Sequence, residues 1–369
     1  MKQIFWLCCF VCAQTLAGPR PVLHLYGWKG ALPEETMQHF ERICDCRIDL
    51  DVAGDNQDME DRLASGAVGY DVVFPPSFAI PGLIRKKLLQ PLDHARLSNL
   101  ANLDPVYMNQ AYDPGNVYSV PAQLSLTAVG YNIEKMKQLG VDPYSWSAVF
   151  DPRVLVKLKG HVAVADSPIP VFVAALLYLG CDPNTASSED YQRARDVIMA
   201  ARPYWGSISN EHDWKGLVTG DIWVSLGYST FFFQAREAAR TQHRPYTVGY
   251  VTQREGNELV INCMAVPAGA AHPELAMRFI NFMLAGRNAA DLTNSLGATN
   301  PVRAAEPYFR DDLKYHPVIN PDVTALRRWV VLHDQTPRMQ RRIERLWDEI
   351  RTSWHPPYSE TESRRVHVR

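Results

Sequence analysis

The sequence has little of what marks several large classes of protein. Only 7 of its 369 residues are cysteine, and Cys8, Cys9 and Cys12 fall at the extreme N-terminus. The remaining Cys44, Cys46, Cys181 and Cys263 are few but even in number, which permits disulfides in an exported protein. Cys44 and Cys46 would sit along one extended backbone, too stretched to bridge each other easily, and no pairing is assigned. Neither sign of charge dominates: 38 Lys and Arg against 40 Asp and Glu leave a net charge of −2, which offers nothing to a nucleic acid. Beyond the N-terminal segment no apolar run is long enough to span a bilayer. There is no Gly-x-Gly-x-x-Gly, no P-loop and no Gly-x-Ser-x-Gly elbow. The 11 histidines are scattered singly. Catalysis has no support in these absences, and no metal or cofactor is expected.

What is present begins with an export signal. Lys2 precedes the apolar run Ile4 to Ala13, and Thr15-Leu16-Ala17 supplies small residues at a cleavage point. Residues 1–17 therefore read as a secretory signal peptide, and the mature protein as exported. The length suits two domains, and 46% hydrophobic with 21% charged residues suits a soluble globular chain.

The mature chain is organised around Val22-Leu23-His24-Leu25-Tyr26-Gly27-Trp28. This reads as a buried strand that turns at Gly27 and projects Trp28 from its carboxyl end, where ligands bind in open α/β sheets. Plain core packing is the competing reading for Trp28. A helix is predicted from Pro33 to Ile43, a strand over Arg47–Val52, a helix over Asp58–Ser65 and a strand over Tyr70–Phe74. That order is β-α-β-α-β, the start of a mostly parallel α/β unit. A helix is expected over Ile80–Leu89 and a crossing strand near Thr127–Asn132.

A second α/β unit follows. Strands are predicted at His161–Ala165, Asp221–Leu226, Tyr246–Val251 and Glu258–Val266. Helices are predicted at Val171–Leu179, Glu189–Ala201, Pro273–Leu284 and Pro337–Ile350. From 353 to 369 the polar tail is expected to be disordered. Asp166 precedes Pro168 at a strand-to-helix turn. Two roles stay open for it there, a polar anchor for ligand or a helix cap.

Several short stretches together resemble the periplasmic spermidine/putrescine-binding proteins of ATP-driven importers. They are Leu25-Tyr26-Gly27-Trp28, Tyr70-Asp71-Val72-Val73, Leu89-Gln90-Pro91-Leu92-Asp93, Asn102-Leu103-Asp104-Pro105 and Val129-Gly130-Tyr131-Asn132. Tyr178 to Asn184, Gly220-Asp221-Ile222, Ala265-Val266-Pro267 and Phe279 to Leu284 continue the series. The resemblance implies an α/β, two-lobed periplasmic-binding-protein fold, type II-like, with discontinuous lobes joined by crossing strands. Lobe 1 is expected to comprise 18–130 and 262–318, and lobe 2 131–261 and 319–352.

The resemblance also implies a cleft with aromatic walls for a methylene chain and carboxylates for its ammonium ends. The residues depart from that pattern. Lys29-Gly30-Ala31 follows Trp28 in the stretch where the family usually has an acid and a tyrosine; Pro170 and Phe231 stand in place of acids, Asn262 in place of an aspartate, and Ala298 in place of a tyrosine. The expected ligand contacts are Trp28, Lys29, Ser77, Phe78, Asp166, Tyr228, Phe231 and Asn262. Asp55, Asp58 and Asp166 are the carboxylates expected to supply charge from new positions. The expected function is capture of a putrescine- or spermidine-like solute by a monomer that serves an inner-membrane ABC permease. A less cationic ligand, or a membrane sensor as partner, are the alternatives.

Overall fold

The computed structural model describes residues 20–28, 32–54, 56–66, 69–210, 212–334 and 336–352. The signal segment 1–17, Lys29, Asp55 and the tail 353–369 lie outside them.

The first half follows its hydrophobic pattern. Strand β1 (Val22–Gly27) buries Leu23, Leu25 and Tyr26 completely. It pairs in parallel with β2 (Arg47–Val52) and β3 (Val72–Val73). The intervening helix Glu34–Cys44 follows Pro33 and opens on Glu34 and Glu35, acids at the positive end of its dipole. The helix Asn56–Ser65 stops at Gly66, whose φ of +61° is the left-handed conformation that glycine adopts without strain.

The second half has its own parallel strands, β5 (Val162–Val164), β6 (Ser207–Ile208) and β7 (Val224–Tyr228). Two long antiparallel strands join the halves, β4 (Ser119–Asn132) and β9 (Asn257–Ala265). The sheet order is β2-β1-β3-β9-β4-β7-β5-β6; β8 (Val248–Val251) adds to β4 and β10 (Trp329–Val330) to β9. Helices Pro168–Tyr178 and Ser188–Ala201 cover the second half, and the C-terminal helix Pro337–Thr352 packs on both.

Four expectations are corrected. The segment from Ser119 to Asn132 is one continuous strand, not a proline-led approach to a shorter one. Pro121 is accommodated where the register slips between Pro121 and Gln123, an irregularity that tolerates a missing N–H. The strand expected at Asp221–Leu226 runs instead over Val224–Tyr228, so Tyr228 is its last residue and helix Ser229–Thr241 follows at once. The helix expected to reach Leu89 stops at Arg85. The helix expected from Val171 begins at Pro168, because proline fits the first turn, where its absent N–H would go unused.

Three apolar clusters hold the chain together. One surrounds Phe40 and Phe279 in the first half, and another surrounds Trp146, Phe172 and Trp205 in the second. The third covers one face of the crossing pair through Leu124, Leu126, Leu259, Ile261 and Cys263.

Candidate functional site

The alternation of β4 and β9 decides what their other face carries. Residues facing the third cluster are Leu124 and Leu126 on β4, and Leu259 and Ile261 on β9. The intervening residues therefore point the opposite way. They pair as Gln123 with Asn262 and Ser125 with Val260, and the next step sets Thr127 beside Glu258. The Thr127 hydroxyl donates to Glu258 Oε2 at 2.6 Å, which confirms that both point to one side. None of these six residues belongs to any of the three apolar clusters. A polar strip thus runs between the cores, about 13 Å long at the usual rise of a strand.

Strands from both halves end on this strip. β3 runs beside β9 from Ala265, and its continuation bridges Pro76 to Asn262. β7 runs beside β4 from Tyr131 to Thr127, where Tyr228 ends it. The two sets of carboxyl ends therefore approach each other, one stopping at the Asn262 end and the other at the Glu258 end. This is where an open α/β sheet takes its ligand.

At the first end stands Trp28, just past β1. It is half-buried, and its indole N–H donates to the Phe74 carbonyl at 2.9 Å. That bond fixes the ring beside the turn after β3, where Ser77 is buried and Phe78 half-buried. Phe78 packs against the Trp146–Trp205 cluster of the other half, so it reaches across the gap between the cores. Asn262, half-buried, marks this end of the strip. At the second end, Tyr228 pairs with Thr127 and lies edge-on to Phe231, with centroids 6.3 Å apart. Ser229 and Thr230 tie the following helix to β4: the Leu126 N–H donates to the Ser229 hydroxyl at 3.1 Å, and Thr230 meets Ser125 at 3.4 Å. Six of the eight expected contact residues, Trp28, Ser77, Phe78, Tyr228, Phe231 and Asn262, are thus grouped about the strip or its ends.

Asp166 is placed differently. Of the two roles left open for it, the helix cap is not taken: Ser167 precedes the helix, with no side-chain cap. The Asp166 carboxylate instead accepts from the Trp347 indole N–H at 3.1 Å and pairs with Arg351 at 3.5 Å, holding the C-terminal helix. Asp58 is likewise committed. It accepts from the Tyr26 hydroxyl at 2.5 Å, the Gly54 N–H and Arg62, and these bonds, the Tyr26 bond foremost, hold its carboxyl down at about 2. Tyr26 stacks on Tyr70 at 4.6 Å in the same network.

Reading the sequence missed Gln123, Ser125, Thr127 and Glu258. The signal was there, in the alternations Gln-Leu-Ser-Leu-Thr and Glu-Leu-Val-Ile-Asn, but it names a polar face without saying what lies opposite. Burial pushes the Glu258 carboxyl up to about 7, against the lowering effect of the Thr127 hydroxyl. A separate surface hollow of about 770 Å³, lined by Arg20, Glu41 and Arg47 among others, lies at the amino ends of β1 and β2, away from the strip. No cluster of His, Cys, Asp and Glu fit for a metal, and no helix long and apolar enough to cross a membrane, occurs among the described residues.

Residues 36–315 match the family of bacterial extracellular solute-binding proteins. The chain belongs to that family. This solute-binding protein is 38% identical over 351 residues to the putrescine/cadaverine-binding protein of Pseudomonas aeruginosa, spanning 95% of this chain and 99% of that one. It is 28% identical to the putrescine-binding periplasmic protein PotF of Escherichia coli, over 92% of this chain and 93% of the relative. Its fold matches PotD, the spermidine/putrescine ABC transporter substrate-binding protein of Streptococcus pneumoniae, with a TM-score of 0.79 at 20% identity, over 90% of this chain and 99% of that one. The solute-binding protein is periplasmic, and its fold is the two-lobed one of the family, with the lobes joined by β4 and β9.

Proposed function

We propose that this protein captures an aliphatic amine of the putrescine–spermidine class between its lobes and delivers it to an inner-membrane ABC permease. The observation that carries the reading is the meeting of strand carboxyl ends over the β4–β9 strip, with Trp28 at one end and Tyr228 at the other. Aromatic rings at both ends suit a solute with an alkyl body and cationic tips. The names of the relatives support the same class. Lobe 1 is 18–130 with 262–318, and lobe 2 is 131–261 with 319–352. Closure is a hinge motion about the crossing strands near Gly130 and Asn262. The protein acts as a monomer and transforms nothing.

The test is calorimetric titration of the mature protein, stripped of ligand by unfolding and refolding. Putrescine, cadaverine and spermidine are expected to bind in the micromolar range, about 8 kcal/mol of binding free energy. Heat from an amino acid or a dicarboxylate, with none from any of the amines, would overturn the reading.

A further inference from the structure

The strip holds one formal charge. No Lys, Arg, His, Asp or other Glu occurs in β4, β7, β8, β9 or β10, or in helix Pro168–Tyr178. Glu258 is the exception, and it is only 1% exposed. Its neighbours can be followed element by element. β4 presents Thr127 and Ser125, both neutral. Across Thr127, β7 presents Tyr228. β10 presents Val330 directly alongside. The helix Pro168–Tyr178 contributes apolar residues, with Tyr178 its sole titratable group, and its Leu177 lies against Gly256, two residues before Glu258. Arg327 and Arg328 flank β10 but are exposed. Among the described residues the Thr127 hydroxyl is the one hydrogen-bond partner of the Glu258 carboxyl.

A carboxyl buried with no cation is costly to keep, and a buried charge normally has a partner. Here the partner is missing from the protein itself. The row Glu258–Thr127–Tyr228 lies on a single face of the sheet, so the carboxyl sits two strands from the aromatic ring at the strip's end. Exposure rises from Thr127 and Glu258, through Ser125 at 5% and Val260 at 8%, to the half-buried Gln123 and Asn262. Glu258 is thus at the most buried end of the strip, which becomes accessible toward Asn262. The other described carboxylates considered for the site, Asp58 and Asp166, are already engaged elsewhere.

We propose that Glu258 is the anionic anchor of the cleft, and that the missing partner is an ammonium group of the ligand, docked beside Tyr228. The assignment rests on the amine-binding reading given above and adds its charge-bearing residue. When a protonated amine docks, the Glu258 carboxylic acid gives its proton to the buffer. The carboxylate that remains pairs with the ammonium, which keeps all its protons. No covalent bond to carbon forms or breaks. Because burial holds the free carboxyl at about 7, binding and proton release are linked.

The experiment is titration of the ligand-stripped full mature chain with putrescine, cadaverine and spermidine at pH 6, 7 and 8. Two buffers of different ionisation enthalpy are used at each pH, so that the protons released are counted. The wild-type protein needs no mutation for this readout. It is expected to release about half a proton per ligand at pH 7 and to bind about tenfold more tightly at pH 8 than at pH 6. Glu258→Gln keeps the shape and a partner for Thr127. It is expected to bind about 30-fold more weakly or worse, with neither proton release nor pH dependence. Wild-type binding with no proton release, or a Glu258→Gln variant that binds and releases protons like the wild type, overturns the assignment and leaves the amine-binding reading standing. No binding of putrescine, cadaverine or spermidine by the wild type overturns both.

Discussion

Replacing Glu258 by Gln removes a group that burdens the ligand-free protein above acid pH. An ordinary glutamate titrates near 4.5, and burial in the strip raises Glu258 to about 7. Below 4.5 the folded and unfolded chains both hold the proton. Between 4.5 and 7 the unfolded chain releases it while the folded chain keeps it. The stability present at low pH is therefore lost as the pH rises, and the loss is complete above about 7. The shift amounts to on the order of 3 kcal/mol. Against a marginal net stability that is a large share. The assay is urea unfolding of ligand-free protein from pH 4.5 to 8, followed by tryptophan fluorescence, for wild type and Glu258→Gln. Other titrating groups cancel in the difference between the two. Glu258→Gln is expected to gain on the wild type progressively, by up to about 3 kcal/mol at pH 8. Parallel profiles across the whole range would refute the reasoning, since they would mean that Glu258 ionises as freely in the fold as out of it.

Two further outcomes follow from the geometry. Asp166→Ala leaves the Trp347 indole N–H without its acceptor, and Trp347 is buried; a loss of about 1–3 kcal/mol is expected in chemical unfolding, with diamine affinity unchanged. A loss of affinity at unchanged stability would return Asp166 to the ligand site. Gly130→Ala would put a methyl carbon 2.4 Å from Phe232 Cδ1, on the strand that carries both β7 and β8. A cost of about 1–3 kcal/mol is expected by thermal melting, and an unchanged melting temperature would show that Phe232 gives way freely.

The sequence by itself determined the local elements whose signals are local. Leu23, Leu25 and Tyr26 mark a buried strand, Pro33 with Glu34 and Glu35 marks a helix start, and Gly66 marks a helix end, because each works through its immediate neighbours. It also placed Trp28 and Tyr228 near strand ends, and its short resembling stretches pointed to the family. Lys29 lies outside the described residues and stays as the sequence left it. Only the tertiary structure decided where the carboxylates point. Asp166 looked available beside Pro168, yet a tryptophan 181 residues away takes it up. Glu258 looked like one polar residue at the head of an apolar strand. Its meaning depends on Thr127, 131 residues distant, which closes one side of it, and on Tyr228 beyond. Register and burial are properties of paired strands, and a single strand read alone carries the alternation of its faces but not the identity of what lies across them.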